Sequence, residues 1–278
     1  MQDTITTGTS RLTDSGSLLV FVLLIVDSLH FVFARLLLPH ISPGVSAMYV
    51  LAIATLQVGL FGLIWGRLHF KVLGKYLGFF LAIGFLVAAS TNINFEAVAF
   101  IDPGTAALLA ETYILYGVLF GVFWLGDSLT LTQIAGGLVA LAGVFIISFQ
   151  LGDYLRIGSL LVLGAAFIYA LHAAIAKRYT GQIEFLDFFF FRLLCTTGFL
   201  LLFALSRRAL VWPSTNAWLL LVLVGTVDVV VSRTLYYVAL RRLKMSIHSI
   251  VLTLSPVVAI CWALLLFGTL PTWQQVVG

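Results

Sequence analysis

Nine stretches of the chain are apolar almost without interruption. They run at 17–38, 44–65, 75–99, 103–124, 131–149, 157–176, 185–206, 216–240 and 246–267. Turn formers and charges separate them: Pro39 and Pro43, Arg67 to Lys75, Asp102-Pro103-Gly104, Gly126-Asp127, Gly152-Asp153, Lys177 to Glu184, Arg207 to Pro213, Arg241 to Lys244, and Gly268 to Pro271. A membrane β-barrel needs segments of about ten residues alternating apolar and polar positions. These runs do not alternate and are about twice that length, close to the ~20 residues of a spanning helix. A helix also satisfies its backbone hydrogen bonds within one segment, as hydrocarbon demands. The pattern predicts an all-α membrane protein of nine helices. The first run is longer than a signal-peptide core and no small-residue cleavage pattern follows it, so it reads as an uncleaved helix. Residues 1–16, rich in Thr and Ser, read as a polar tail, disordered or interfacial.

Composition agrees. Of the 278 residues 62% are hydrophobic and 9% charged, and mean hydropathy is +1.13. Soluble domains carry about a quarter charged residues, so lipid must be the solvent. The two cysteines, Cys195 and Cys261, sit inside apolar runs and read as packing residues. No metal-ligand spacing, nucleotide loop or hydrolase elbow occurs, and no cofactor is expected. No basic run is long enough to suggest nucleic acid; the positive charges instead report topology. With the N-terminus inside, nine Lys and Arg (Arg11, Arg67, Lys71, Lys75, Lys177, Arg178, Arg241, Arg242, Lys244) face the cytoplasm and three (Arg156, Arg207, Arg208) face out. That bias predicts a multi-pass inner-membrane protein with a cytoplasmic N-terminus.

Sliding the sequence on itself by 142 residues aligns Ser17 with Ser159, His30 with His172, Ala97 with Ala239, Gly126 with Gly268, Thr130 with Thr272, Gln133 with Gln275 and Gly136 with Gly278. Polar and glycine identities at one constant offset indicate two copies of a five-helix unit, at 17–149 and 157–278. Five is odd, so the second copy is inverted relative to the first. Inverted repeats are a common construction of secondary transporters, whose site lies near the bilayer midplane between the halves. The chain stops opposite Gly136, so the pattern leaves a tenth helix begun at Trp273 and missing, as in a truncated fragment.

Several strings fit one family. Phe95-Glu96-Ala97-Val98-Ala99-Phe100-Ile101 and Tyr236-Tyr237-Val238-Ala239-Leu240-Arg241-Arg242 resemble an aromatic-Ala-Leu stretch ending helices 3 and 8. Leu254-Ser255-Pro256-Val257 resembles a mid-helix proline motif, Gly126-Asp127-Ser128-Leu129-Thr130 a Gly-Glu turn before helix 5, and Phe191-Arg192-Leu193 a helix-7 arginine. In this order they resemble the drug/metabolite transporter superfamily, EamA-type. The resemblance implies ten helices in two inverted repeats and movement of small metabolites. Departures from it are Ile114 in place of the first proline, Asp127 in place of Glu, Thr269 in place of an acid, and Val50 opposite Arg192.

An ionisable group at mid-bilayer costs at least about 2.5 kcal/mol, so each needs a partner, water or a task. Asp27 and His30 share a helix face, and Tyr169 and His172 stand at the matching positions of the second copy. The two histidines read either as flanking a central cavity or as hydrogen-bonded struts. Glu111, opposite Thr253, lies mid-helix; burial favours its protonated form, which suits a proton-coupled carrier, and pairing with Arg192 or Arg233 is the structural alternative. Asp228, Ser232 and Arg233 suggest an Asp–Arg arrangement on helix 8. Tyr236 and Tyr237 read as interfacial anchors or aromatic lining, and Gly84, Gly117 and Gly121 as close helix contacts. The candidate substrate-binding set is Asp27, His30, Glu111, Tyr113, Tyr169, His172, Asp228 and Ser255, with Arg192 and Arg233 as structural ion-pair candidates and no metal. Asp27, Glu96, Glu111 and Asp228 against two helix-embedded arginines lean toward a cationic or zwitterionic solute, or toward protons as coupling ion. The reading is a secondary transporter of a small polar or amphipathic metabolite working by alternating access. Its rivals are a non-transporting membrane subunit or scaffold and an intramembrane enzyme built on the two histidines.

Overall fold

In the computed structural model, residues 18–37, 39–97, 100, 109–148, 157–268, 270 and 273 are described. The tail at 1–16, the Asp102-Pro103-Gly104 turn, Gly152-Asp153, Thr269 and residues 274–278 lie outside them, as does the Glu96 side chain. Most of the segment expected to open a tenth helix lies outside them too.

Each apolar run is helical over most of its described residues, and no strand occurs among them. α1 (Leu18–Asp27) and α2 (Leu29–Leu37) share the first run and meet in a turn at Ser28. α3 (Pro43–Ile64) is followed by α4 (Phe70–Lys75), a short helix inside the charged connection, and by α5 (Leu77–Ala97). α6 (Thr112–Leu119) continues into a π-helical turn, Phe120–Trp124, and α7 (Leu131–Ser148) closes the first half. In the second half come α8 (Ile157–Tyr179), α9 (Phe185–Ser206), α10 (Thr215–Val224), a π-helical segment (Gly225–Val231), α11 (Ser232–Arg242), α12 (Met245–Leu252) and α13 (Ser255–Phe267). Among the described residues six spans are long and apolar enough to cross a membrane, and Leu18–Asp27, Thr112–Trp124 and Leu131–Gly143 are shorter apolar helices.

Leu56, Leu60, Leu63, Leu202 and Leu219 point outward, while Ser159, Thr196, Ser232 and Ser246 are completely buried. That distribution suits lipid outside and polar contacts inside. Phe80, Phe188, Phe189 and Phe191 fill the centre, where α5 packs on α8 and α9, and α3 packs on α9 and the Gly225–Val231 segment.

The repeat is visible in the backbone. Four described residues have positive φ, and they form two pairs at the 142-residue offset: Gly66 (61°) with Arg208 (51°), and Gly126 (73°) with Gly268 (61°). The first pair closes its helices identically, through Arg67 N–H to Gly62 O at 2.9 Å and Ala209 N–H to Ala204 O at 3.0 Å. This is the capping geometry of a left-handed helix end. Thr55 and Thr197 are also offset by 142, and their hydroxyls lie 3.0 Å apart. A residue that bonds to its own counterpart sits on the axis relating the halves, so the pseudo-twofold passes between α3 and α9. In a Cys195→Ser/Cys261→Ser background, a Thr55→Cys/Thr197→Cys pair is expected to form an intramolecular disulfide under mild oxidation. A gel-mobility shift reversed by reductant reports it, and persistent free thiols would argue against the axis.

Contacts to the connections fix both ends of the crossing pair. Asp187, 1% exposed, accepts from His69 N–H at 2.9 Å and lies 3.0 Å from its ring Nδ1. At the equivalent place in the other half, Tyr49 Oη donates to the Val211 carbonyl at 3.1 Å. Lys177 Nζ donates to the carbonyls of Leu240, Arg241 and Leu243 at 2.6, 3.1 and 2.7 Å, completing the end of α11.

Candidate functional site

Three helix interruptions converge on one region. The first is the turn at Ser28. The second is at Glu111, whose carbonyl accepts from Ile114 N–H while Thr112 Oγ1 donates back to the Leu109 carbonyl at 2.6 Å. The third lies between α12 and α13, where Thr253 Oγ1 donates to the Ile250 carbonyl at 2.6 Å and Pro256 is the second residue of α13. Glu111 and Thr253 are repeat counterparts. The first-half helix therefore breaks at the equivalent point without a proline, with a threonine hydroxyl satisfying a released carbonyl in each case. Broken helices at mid-membrane depth are tolerated where they line a cavity.

A cavity of about 140 Å³ lies there, lined by Asp27, Glu111, Tyr236, Leu252 and Ser255 together with His30, Tyr113, Tyr169 and Arg233. The last four also wall a larger cavity of about 610 Å³, which extends past Ser46, Thr91, Asn94, Arg192 and Asp228 to the apolar Phe33, Leu37, Ile41, Val50 and Val87. Residues from both halves contribute to each. The larger volume falls within the roughly 300–1,000 Å³ of small-molecule sites.

Two polar pairs join the halves at these walls. Asp27 Oδ1 accepts from Ser232 Oγ at 3.0 Å and from Arg233 Nη1 at 3.1 Å. His30 Nδ1 lies 2.9 Å from Asp228 Oδ2. Asp228 and Arg233, close in the chain, attract each other but make no direct ion pair within 4 Å. Five positions on an α-helix are about 140° apart, and the π-helical segment carrying Asp228 alters the register further, so each finds its partner on the first helix. Glu111 has no ion pair among the described residues; neither arginine meets it.

Seven of the eight expected binding residues thus line these cavities: Asp27, His30, Glu111, Tyr113, Tyr169, Asp228 and Ser255. His172 lines neither. It is fully buried, its Nδ1 bonded to the Tyr169 carbonyl and its Nε2 3.0 Å from Tyr237 Oη. With Nδ1–H donating, a neutral ring accepts at Nε2 and the Tyr237 hydroxyl donates. Tyr237 in turn lies under the Arg192 guanidinium, 4.9 Å from ring centroid to Cζ. Tyr236 and Tyr237 are 3% and 2% exposed, so they are interior residues and not interfacial anchors. Arg192, expected from the sequence as a structural ion-pair residue, lines the large cavity. Ser46, Thr91 and Asn94 were not anticipated. Ser90 and Ser232, identical at the 142-residue offset, carried a signal for this face: Ser232 reaches Asp27, and Ser90 precedes Thr91 on the large cavity's wall.

Among the described residues one further cluster, His69, Glu184 and Asp187, brings three metal-capable groups within 4.8 Å. Both Asp187 oxygens are engaged by His69, which accounts for that cluster as the tie described above.

The model of the EamA-like transporter family matches residues 14–149 and 156–278, one match for each half. The chain belongs to the EamA-like transporter family. A multi-pass membrane protein with a transporter fold follows, with the lipid bilayer and a small-molecule substrate as its partners. The chain is also similar to a solved structure described only as the crystal structure of a protein, with a TM-score of 0.78, 21% identity, and 95% of this chain and 92% of that one covered. At that identity the likeness speaks for the fold alone. No curated protein matches the chain significantly.

Proposed function

We propose that this EamA-like protein is a secondary transporter that moves a small polar or amphipathic metabolite by alternating access, with halves at 17–149 and 157–278 rocking about the Thr55–Thr197 axis. The observation that carries the reading is the two-part cavity between the halves, walled by polar groups from both and bounded by three helix interruptions. The larger chamber holds the solute. The smaller one holds Glu111, a carboxyl without a paired cation among the described residues, which takes up a proton on one side and releases it on the other. The excess of Lys and Arg in alternate connections supports insertion in a bacterial-type inner membrane with the N-terminus cytoplasmic.

The test is flux in proteoliposomes with a panel of radiolabelled small zwitterions and amines. A solute that accumulates under an imposed pH gradient in the wild type is expected to lose at least tenfold of that accumulation in Glu111→Gln. Its exchange against the same solute at equal pH is expected to stay within about twofold, because removing the titrating group uncouples proton from solute without closing the path. Normal gradient-driven accumulation by Glu111→Gln would remove the proton role. Failure of every panel member to move would overturn the carrier reading.

A further inference from the structure

We propose that Arg192 is the anion subsite of the large cavity and that the solute presents a carboxylate to it. The word solute rests on the carrier reading; the subsite does not.

Arg192 is 4% exposed and lines the cavity from α9. A buried cation is normally matched by a buried anion, because the interior does not solvate it. No carboxylate among the described residues lies within 4 Å of Arg192. The acids nearest the cavity are committed elsewhere: Asp27 is held by Arg233 and Ser232, and Asp228 Oδ2 by His30. Nε of Arg192 is buried without an acceptor. The guanidinium is held in place by aromatic faces, with Tyr237 at 4.9 Å and Phe189 at 5.8 Å. Such faces fix its position, Tyr237 also takes a side-chain hydrogen bond from it, and Nε stays without an acceptor. α9 therefore carries a positioned, buried guanidinium with no carboxylate paired to it among the described residues, on the wall of a chamber large enough for a metabolite.

Charge matching selects the ligand. One uncompensated guanidinium balances one negative charge, and its fork matches a carboxylate bidentately. A phosphate monoester, near −2 at neutral pH, would leave a buried excess, because Arg233 is already neutralised. The same wall holds acceptors that lack donors, Asp228 Oδ1 and Asn94 Oδ1. Those take an ammonium or hydroxyl of the same molecule. Elsewhere on the lining, Phe33, Leu37 and Val50 take an apolar body. Val50 is the repeat counterpart of Arg192, so the position that is cationic in one half is apolar in the other.

The experiment uses the purified full chain and three compounds sharing one apolar body: L-leucine, L-leucinamide and 3-methylbutyl phosphate. Binding is read as ligand-induced thermal shift, with flux read separately in proteoliposomes. Leucine is expected to raise the melting temperature in a saturable way and leucinamide to do so at least tenfold more weakly. Arg192→Gln is expected to abolish the difference between the two, and Arg192→Lys to restore part of it. Should Arg192→Gln fail to fold, the leucine–leucinamide contrast in the wild type decides alone. Equal shifts by leucine and leucinamide, no shift by any of the three, tighter binding of the phosphate ester, or retained discrimination in Arg192→Gln would each overturn the subsite. Carboxylate-selective binding without flux upholds the subsite while counting against the carrier reading. Flux of leucinamide in preference to leucine does the reverse.

Discussion

Arg233→Met is expected to lower the stability of the folded protein by about 3–5 kcal/mol, the size of effect seen when one partner of a buried ion pair is removed. The substitution keeps a long side chain but takes away the only cation within 4 Å of Asp27 among the described residues, leaving that carboxylate with the Ser232 hydroxyl. The Asp27 and Arg233 side chains are 17% and 21% exposed, so water relieves little of the loss. The double variant Asp27→Asn/Arg233→Met removes both charges together and is expected to recover at least half of the lost stability. Thermal melts of the purified single and double variants in one detergent measure this. If the double variant were no more stable than Arg233→Met, the pair would not be the source of the effect.

Gly121→Ala is expected to destabilise by about 3 kcal/mol, and Gly164→Ala to be neutral or stabilising by up to about 1 kcal/mol. A Cβ at 121 would stand 2.2 Å from Ser246 Oγ, 2.7 Å from Asp127 Oδ2 and 2.8 Å from Ser246 N. Those atoms form one bonded group, since Ser246 N–H and Oγ both donate to Asp127 Oδ2 at 2.9 Å. The methyl cannot be admitted without moving backbone or breaking hydrogen bonds to a charged acceptor. At Gly164 nothing stands within 4 Å of the new carbon, and alanine gains its helix preference freely. Melting temperatures of the two variants against wild type test the contrast, and equal behaviour would show that the α12 contact is looser than described.

The fold was legible in the sequence because its strongest signals are local or periodic. Long unalternating apolar runs read as helices, and polar identities at a constant offset read as a repeat. The positive-φ pairs and the Thr55–Thr197 contact are the spatial form of that offset. The site was legible only as a set of residues. Asp27, His30, Glu111 and Asp228 stood out because ionisable groups are expensive in a membrane, but their partners did not follow from chain proximity. Asp228 binds a residue 198 positions away, not Arg233 five positions on. The helix interruption at Glu111 carries no proline, so nothing marked it. Arg192 read as one half of an ion pair because a sequence cannot say whether a carboxylate stands opposite. His172 was placed beside the cavity by analogy with His30, but the analogy needed an acid facing it. The counterpart of Asp228 is Leu86, and His172 turned to a tyrosine and a carbonyl instead.

The halves share backbone geometry but not charge. Arg192, Asp228 and Arg233 correspond to Val50, Leu86 and Thr91, and Asp27 and Glu111 to Tyr169 and Thr253. A carrier built from two identical units would weigh its inward and outward shapes equally. If the proposed alternation holds, the electrostatic cost of each shape falls on different side chains, and the empty molecule would rest in the orientation its own ionisable groups prefer. In the proposed carrier, cargo that neutralised Arg192 would tilt that balance, and any preference for one direction of movement would be written in five side-chain pairs and not in the scaffold.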